Sequence, residues 1–355
     1  LTYSTLCYNI NFMKRLLNIA SGQFFISIFP ILAWMMLAFT LKDPNLSNVF
    51  SLTYPLQYVT ALLKAIFGTG ANIKRVRSNS DDIVYSSIVI CGVVSFIILG
   101  SIALCAKDYI RFMNMDADYY YVLCLYSLGN LFTELLFSLF LVKLYFEGKD
   151  KIANIHSLIY NILIFAGLII PSLITKNIVI IILISLSISL IYVISFFIWQ
   201  FKKFKFDFNI LPNMKYESAA IADQLLMLII YLFGFRNAFG YGEKYLTTIN
   251  FISLITTAQW ESIYSIGTVA KIDISQDNYH YTKALKNAFV LTSVSTLSSV
   301  ILFFSLFSVY QINIGLGIAY LTFQIFDIMI YSITSNLTSF IQLKHSAFKN
   351  TVNNI

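Results

Sequence analysis

The sequence predicts an all-α polytopic membrane protein made of two pseudo-symmetric helical bundles, six spans followed by four. Three observations predict it. Of 355 residues, 58% are hydrophobic and only 12% charged, and the mean hydropathy is +0.75. Soluble domains carry roughly 25% charged residues, so about half the usual charge is missing. Ten apolar segments are each long enough to cross the hydrocarbon core, which takes roughly 20 helical residues. Finally, two pairs of these segments repeat their charged and glycine positions between the halves of the chain, a construction plan of secondary transporters.

The elements follow in order. A tail, residues 1–15, ends in Met13-Lys14-Arg15, which has the form of a natural start, so the true start stands open between Leu1 and Met13. The apolar run behind it is too long for a signal peptide and lacks a small-residue cleavage site, so it is the first span. The first bundle, 16–201, holds spans near 16–41, 48–73, 83–106, 118–146, 152–174 and 177–201. A polar connector, KKFKFDFNILPNMK at 202–215, leads to a second bundle, 216–355, with spans near 216–235, 245–270, 284–309 and 314–343. Spans four and ten are long and are expected to tilt or project. Only four spans fit where six would make the halves equal, and the final HSAFKNTVNNI resembles the entry to a further helix. Either two spans are missing from this chain or the protein is a reduced form.

Charge sets orientation. With the N-terminus inside, 16 of the 24 Lys and Arg lie in cytoplasmic segments and 6 outside, with Lys64 and Lys143 within spans. The positive-inside rule therefore places both termini in the cytoplasm. The net charge of +7 is spread between apolar segments rather than gathered in a stripe, which excludes a nucleic-acid partner. Cys91, Cys105 and Cys124 fall in spans and read as small apolar residues. His156, His280 and His345 have no Cys or carboxylate at metal-ligand spacing, so no metal is expected.

The candidate site residues come from the repeat. Glu134 to Leu144, in ELLFSLFLVKL, matches Asp327 to Leu337, in DIMIYSITSNL. A carboxylate inside a span is costly and is a functional-site candidate by default, although a hydrogen bond to a neighbouring helix is the bland alternative. Gln324 and Tyr331 lie three and four residues from Asp327, so they share its helix face. The second pair is KAIFGTGANIK, 64–74, with ESIYSIGTVAK, 261–271. Gly70 and Gly267 each stand four residues before a lysine, and six residues earlier the halves carry Lys64 and Glu261. Those opposite charges at equivalent depth are expected to pair, as a gate or as a structural ion pair. Asp223 is either a ligand or a solvated helix-end acid. Among the many aromatic residues, Trp260, Tyr264 and Tyr331 are placed to line a cavity and stack on a cation.

These passages resemble the multidrug and toxic compound extrusion (MATE) family of antiporters. Gln324, Asp327 and Leu337 match a Gln, Asp and later Leu of the family's tenth span, although Thr338 and Ser339 stand where it has Arg-Gly. Asp223 and Gly234 match an acid and glycine of span seven, and Asn161, following Gly148 and Asp150, matches an Asn of span five. The resemblance implies two bundles facing a central cavity and efflux of small amphipathic or cationic compounds by alternating access. The drive would be H⁺ or Na⁺ antiport, with no cofactor beyond the coupling ion. It implies a monomer in the cell membrane whose partners are a small-molecule substrate and the lipid bilayer, and no enzyme. Two departures weigh on coupling: Trp34 and Met35 stand where an acid of span one is found, and Phe165 replaces an acid of span five. Coupling is therefore expected at Glu134, Asp223, Glu261 and Asp327, centred in the second half. A lipid-linked oligosaccharide flippase of the same superfamily is the alternative, but it needs several intramembrane cations and finds only Lys64 and Lys143. A non-transporting remnant is the other. An intramembrane transferase would need clustered acids to hold Mg²⁺ at phosphates. The adjacent pair Asp81-Asp82 lies in a loop and lacks a second such motif.

Overall fold

The computed structural model describes residues 3–43, 46, 52–115, 120–201, 203–209, 211–241, 243–275, 281–306 and 313–344. Among them every regular element is helical. The first helix, Tyr3–Leu41, runs straight through the residues expected as a tail. It is followed by a helical segment, 54–78, and by helices Asp82–Leu104 and Ala106–Phe112. Then come Tyr120–Phe146, Asp150–Ile174, Ile178–Gln200, Leu211–Tyr216, Ser218–Gly240, Glu243–Ser275, Tyr281–Leu306 and Ile314–Lys344. Local chemistry sets several of their ends. Asn79 closes the 54–78 segment in the left-handed conformation with φ 53°, and Gly148 makes the turn before Asp150 with φ +71°. The Asn177 side chain caps the 178–200 helix by accepting from the N–H groups of Val179 and Ile180.

Eight helices are long and apolar enough to cross a membrane, and the expected spans near 48–73 and 245–270 are the two not among them. The described residues of each are mainly helical, residues 48–51 lying outside them, and each falls short for a visible reason. The 243–275 helix carries Gln259, Glu261, Lys271 and Asp273 among its apolar residues. The 54–78 segment is interrupted by a π-helical turn at Ala65–Gly70 and ends in the basic ANIKRVRS.

A second π turn, Tyr126–Leu131, lies in the 120–146 helix. The two turns share a device. Asn72 donates its side-chain amide to the Gly68 carbonyl at 2.9 Å, and Thr133 donates its hydroxyl to the Gly129 carbonyl at 3.0 Å. In each, a side chain four residues beyond a glycine bonds that glycine's carbonyl, which also accepts the backbone N–H three residues on. Their repeat counterparts, the 243–275 and 314–344 helices, contain no π turn among the described residues.

The chain forms two compact units. One comprises 1–28, 145–155 and 247–355, and the other comprises 29–144 and 156–246. In the first, Phe251, Ile252, Ile255, Phe303 and Leu321 make an apolar core. Gly22 marks a close approach there: an added Cβ would meet Asn154 Oδ1 and the Tyr145 hydroxyl, which bond each other at 2.9 Å. In the second, Phe137 stacks on Tyr160 with ring centroids 4.4 Å apart and packs edge-on to Phe196. Long apolar side chains left exposed, such as Ile191 and Ile198, are where a lipid-facing surface is expected. Cys91 is buried as expected, whereas Cys105 is exposed at the end of its helix.

Within the second unit the connector is fastened, not loose. Lys74 Nζ reaches Asp207 Oδ2 and the Asn209 carbonyl, each at 3.0 Å. The Asp207 N–H donates to Ser86 Oγ at 2.9 Å, and Tyr85 donates its hydroxyl to the Gln200 carbonyl at 3.1 Å. The Asn209 N–H, and then the Lys74 ammonium, hold the Asp207 carboxyl below the usual carboxylate range. A depressed folded pKa stabilises above the unfolded value of about 3.9, and that stability is lost as pH falls through the folded value. Acidification below about pH 4 is therefore expected to lower the thermal midpoint of the wild type. Asp207→Asn should show a smaller acid loss, and an unchanged acid limb in that variant would remove Asp207 as its source.

Candidate functional site

The site is assembled in the first unit from two helices, 243–275 and 314–344. Three successive rungs join them. Trp260 Nε1 donates to Gln324 Oε1 at 2.9 Å. The Tyr264 ring meets the Tyr331 ring edge-on at 5.0 Å. At Gly267 an added Cβ would stand 3.7 Å from Ser335 Cβ and 3.8 Å from the Tyr331 hydroxyl, ordinary contact distances that set the two helices side by side at this level. Both sets of numbers rise together, so the helices run parallel, as two spans separated by one returning span must.

Trp260, Tyr264 and Tyr331 form a closed aromatic trio, with centroids 5.6, 5.5 and 5.0 Å apart. Gln324 is buried beneath it and Asp327 is half-buried one turn along the same face. Ring faces attract cations through their quadrupole, and an ionised carboxylate on the same helix face adds to that attraction. Further along, the buried Ser332, Ser335, Asn336 and Ser339 spend their donors on backbone carbonyls of their own helix. On the facing helix Gln259 is buried, and its Oε1 has no hydrogen-bond partner among the described residues. Trp260→Phe is expected to cost about 1 kcal/mol, because Gln324 Oε1 then loses its donor while staying buried. A thermal midpoint equal to wild type would show that bond to be worth nothing.

The other sequence candidates have their own surroundings. Glu134, Lys64, Asp223 and Asn161 all belong to the second unit. Glu134 and Lys64 are half-buried beside the two π turns. Asp223, also half-buried, accepts from Gln224 Nε2 at 3.3 Å, and the buried Asn161 donates to the Ser157 carbonyl at 2.8 Å. Trp34, where the family resemblance would place an acid, is buried and packs edge-on against Tyr126 at 5.5 Å. Lys143 is buried with its ammonium 5.4 Å from the Tyr85 ring centroid. The side chain of Glu261, and with it the expected pairing to Lys64, lies outside the described residues.

Sequence reasoning missed a charged node in the first unit. The Arg15 guanidinium lies 3.3 Å from Asp273 Oδ1 and 3.7 Å from Asp150 Oδ2, and it donates to the Tyr145 carbonyl at 2.7 Å. It borders a cleft of about 490 Å³ that Lys14, Asn18, Lys149 and Asp150 also line. Arg15 is 258 residues from Asp273, so no local pattern links them. In the sequence Asp273 stands in the polar stretch KIDISQDN, where nothing local marks it as a partner of Arg15.

No protein-family model matches the sequence, and no curated protein matches it either. Solved structures match in fold. A MOP superfamily transporter from Pyrococcus furiosus, described by a binding pocket of reversed polarity that suggests a different function, is similar at 15% identity and TM-score 0.65. The match covers 93% of this chain and 84% of that one. An outward-facing multidrug resistance MATE family transporter matches at 14% identity over 96% of this chain and 83% of its own, with TM-score 0.61. A MATE in the straight conformation matches at 16% identity over 96% and 82%, again with TM-score 0.61. At such identities the likeness is one of architecture, and the chain is an all-α polytopic membrane protein with the fold of MATE transporters of the MOP superfamily.

Proposed function

We propose that this protein is an efflux transporter that exports small amphipathic or cationic compounds by alternating access, driven by H⁺ or Na⁺ antiport. The observation that carries the reading is the aromatic trio of Trp260, Tyr264 and Tyr331 over Gln324, with Asp327 on the same helix face. Substrate cation and coupling ion compete for the Asp327 carboxylate, so loading one releases the other. Glu261, one residue from Trp260, shares that task. Glu134 and Asp223 are secondary ion sites, with Asn161 and Lys64 positioned in the first bundle, taken as 16–201 against 216–355. The protein acts as a monomer in the cell membrane with both termini cytoplasmic. It needs no cofactor beyond the coupling ion and is not an enzyme.

The test is efflux of a fluorescent organic cation from proteoliposomes under an imposed H⁺ or Na⁺ gradient. Gradient-dependent efflux above that of protein-free vesicles is the expected result. No efflux under either gradient, with the protein folded, would leave a remnant. Translocation of a lipid-linked anion without cation efflux would leave a flippase.

A further inference from the structure

We propose that residues 201 and 203–209, at the start of the connector, form a membrane-surface element that binds the headgroups of anionic phospholipids. It begins where the 178–200 helix ends, and that helix is the most apolar of the eight candidate spans. The sequence FKKFKFDFN alternates aromatic and polar residues from Lys203 to Asn209, the period of an extended chain with one ring-bearing side. The rings stand in a ladder. Centroids are 5.5 Å apart from Phe201 to Phe204, 6.1 Å from Phe204 to Phe206 and 4.5 Å from Phe206 to Phe208. The inner end of the ladder is seated on Tyr85, whereas Phe206 is 44% and Phe208 78% exposed.

Depth decides what covers those rings. The connector is hydrogen-bonded to Ser86 and packed on the ring of Tyr85, both in the first two turns of the apolar Asp82–Leu104 helix. A segment pinned there lies at the plane where hydrocarbon gives way to headgroups, the position aromatic rings favour. The preceding helix leads into that plane with Ile198 and Trp199 exposed. Exposed Lys203 and Lys205 alternate with the rings, and exposed Arg77 and Lys215 flank them, Arg77 lying over the Tyr216 ring. Aromatic rings at interface depth beside clustered cations fit an anionic lipid surface by charge and by polarity. Asp207, the acid of the segment, is held by Lys74 and so does not oppose that charge.

The experiment uses the purified full chain in detergent, with the thermal midpoint followed as short-chain phosphatidylglycerol, phosphatidylcholine or inorganic phosphate is added. Phosphatidylglycerol is expected to stabilise more than phosphatidylcholine, and phosphate alone not at all. Lys203→Gln with Lys205→Gln should weaken the apparent affinity for phosphatidylglycerol by roughly fivefold per lysine, about 25-fold for the pair. Both lysines are exposed, so the variant should fold. A second measurement stands apart from charge. In bilayers with brominated phosphatidylglycerol, Phe208→Trp should be quenched beyond the background of the three native tryptophans. Equal stabilisation by both lipids, an unchanged affinity in the lysine variant, or no extra quenching would each overturn the proposal. Stabilisation by phosphate alone would replace the lipid surface with a free anion.

Discussion

Replacing Asp327 by Asn is expected to reduce gradient-driven efflux to the rate of protein-free vesicles while the protein still folds. Asn keeps the volume and the hydrogen-bonding capacity of the half-buried side chain but removes its titratable charge. Its neighbours give the change a specific meaning. Gln324 is occupied by Trp260 Nε1, and Tyr331 is packed edge-on to Trp260 and Tyr264. The rings alone retain cation affinity of about 0.5–2 kcal/mol, so substrate should still bind weakly to the variant without being driven outward. A structural hydrogen bond makes the opposite claim, because Asn preserves it and transport with it. Efflux of Asp327→Asn equal to wild type at matched expression would therefore sink the coupling role. Glu134→Gln, beside the π turn at Tyr126–Leu131, should have the smaller effect.

The fold was legible because the signals that carry it are local. Apolar length and charge asymmetry need no knowledge of packing, and eight of the ten expected spans meet the criterion of length and apolarity. The two exceptions show where that reasoning thins. A helix that lines polar partners, as 243–275 does with Gln259 and Trp260, gives up hydropathy to do so. The π turns were invisible because a glycine four residues before Asn72 or Thr133 also occurs in regular helices. Spacing did put Gln324, Asp327 and Tyr331 on one face, since helical periodicity is fixed. Trp260 and Tyr264 stand out in the sequence only as aromatics within a span, and the parallel packing of the two helices brings them onto Tyr331. The Arg15 node was illegible for the converse reason. Its three acceptors come from segments 130 to 258 residues away, and each of its acids reads locally as an ordinary helix-end charge.

That node carries the second large expectation. Arg15→Met should destabilise the protein by about 3 kcal/mol, seen as a lower thermal midpoint in detergent, because it removes the cation that both Asp150 and Asp273 engage. The side chains of Arg15, Asp150 and Asp273 are only 17%, 13% and 9% exposed, so water repays little of the loss. Arg15→Lys should recover only part of it. An ammonium supplies a point charge, whereas the guanidinium fork reaches Asp273 and the Tyr145 carbonyl at once. Adding Asp150→Asn and Asp273→Asn to Arg15→Met should restore much of the midpoint, since no buried charge is then left unpaired. The cycle separates an ion-pair node from simple packing of the arginine stem. If the triple variant is no more stable than Arg15→Met, the aliphatic contacts of Arg15 hold this corner together and its charge does not. Where the charge does hold it, the node ties the first helix to the start of the 150–174 helix and the end of the 243–275 helix. Loss of that tie should then change efflux rate as well as stability, because the 243–275 helix also carries Trp260 and Tyr264.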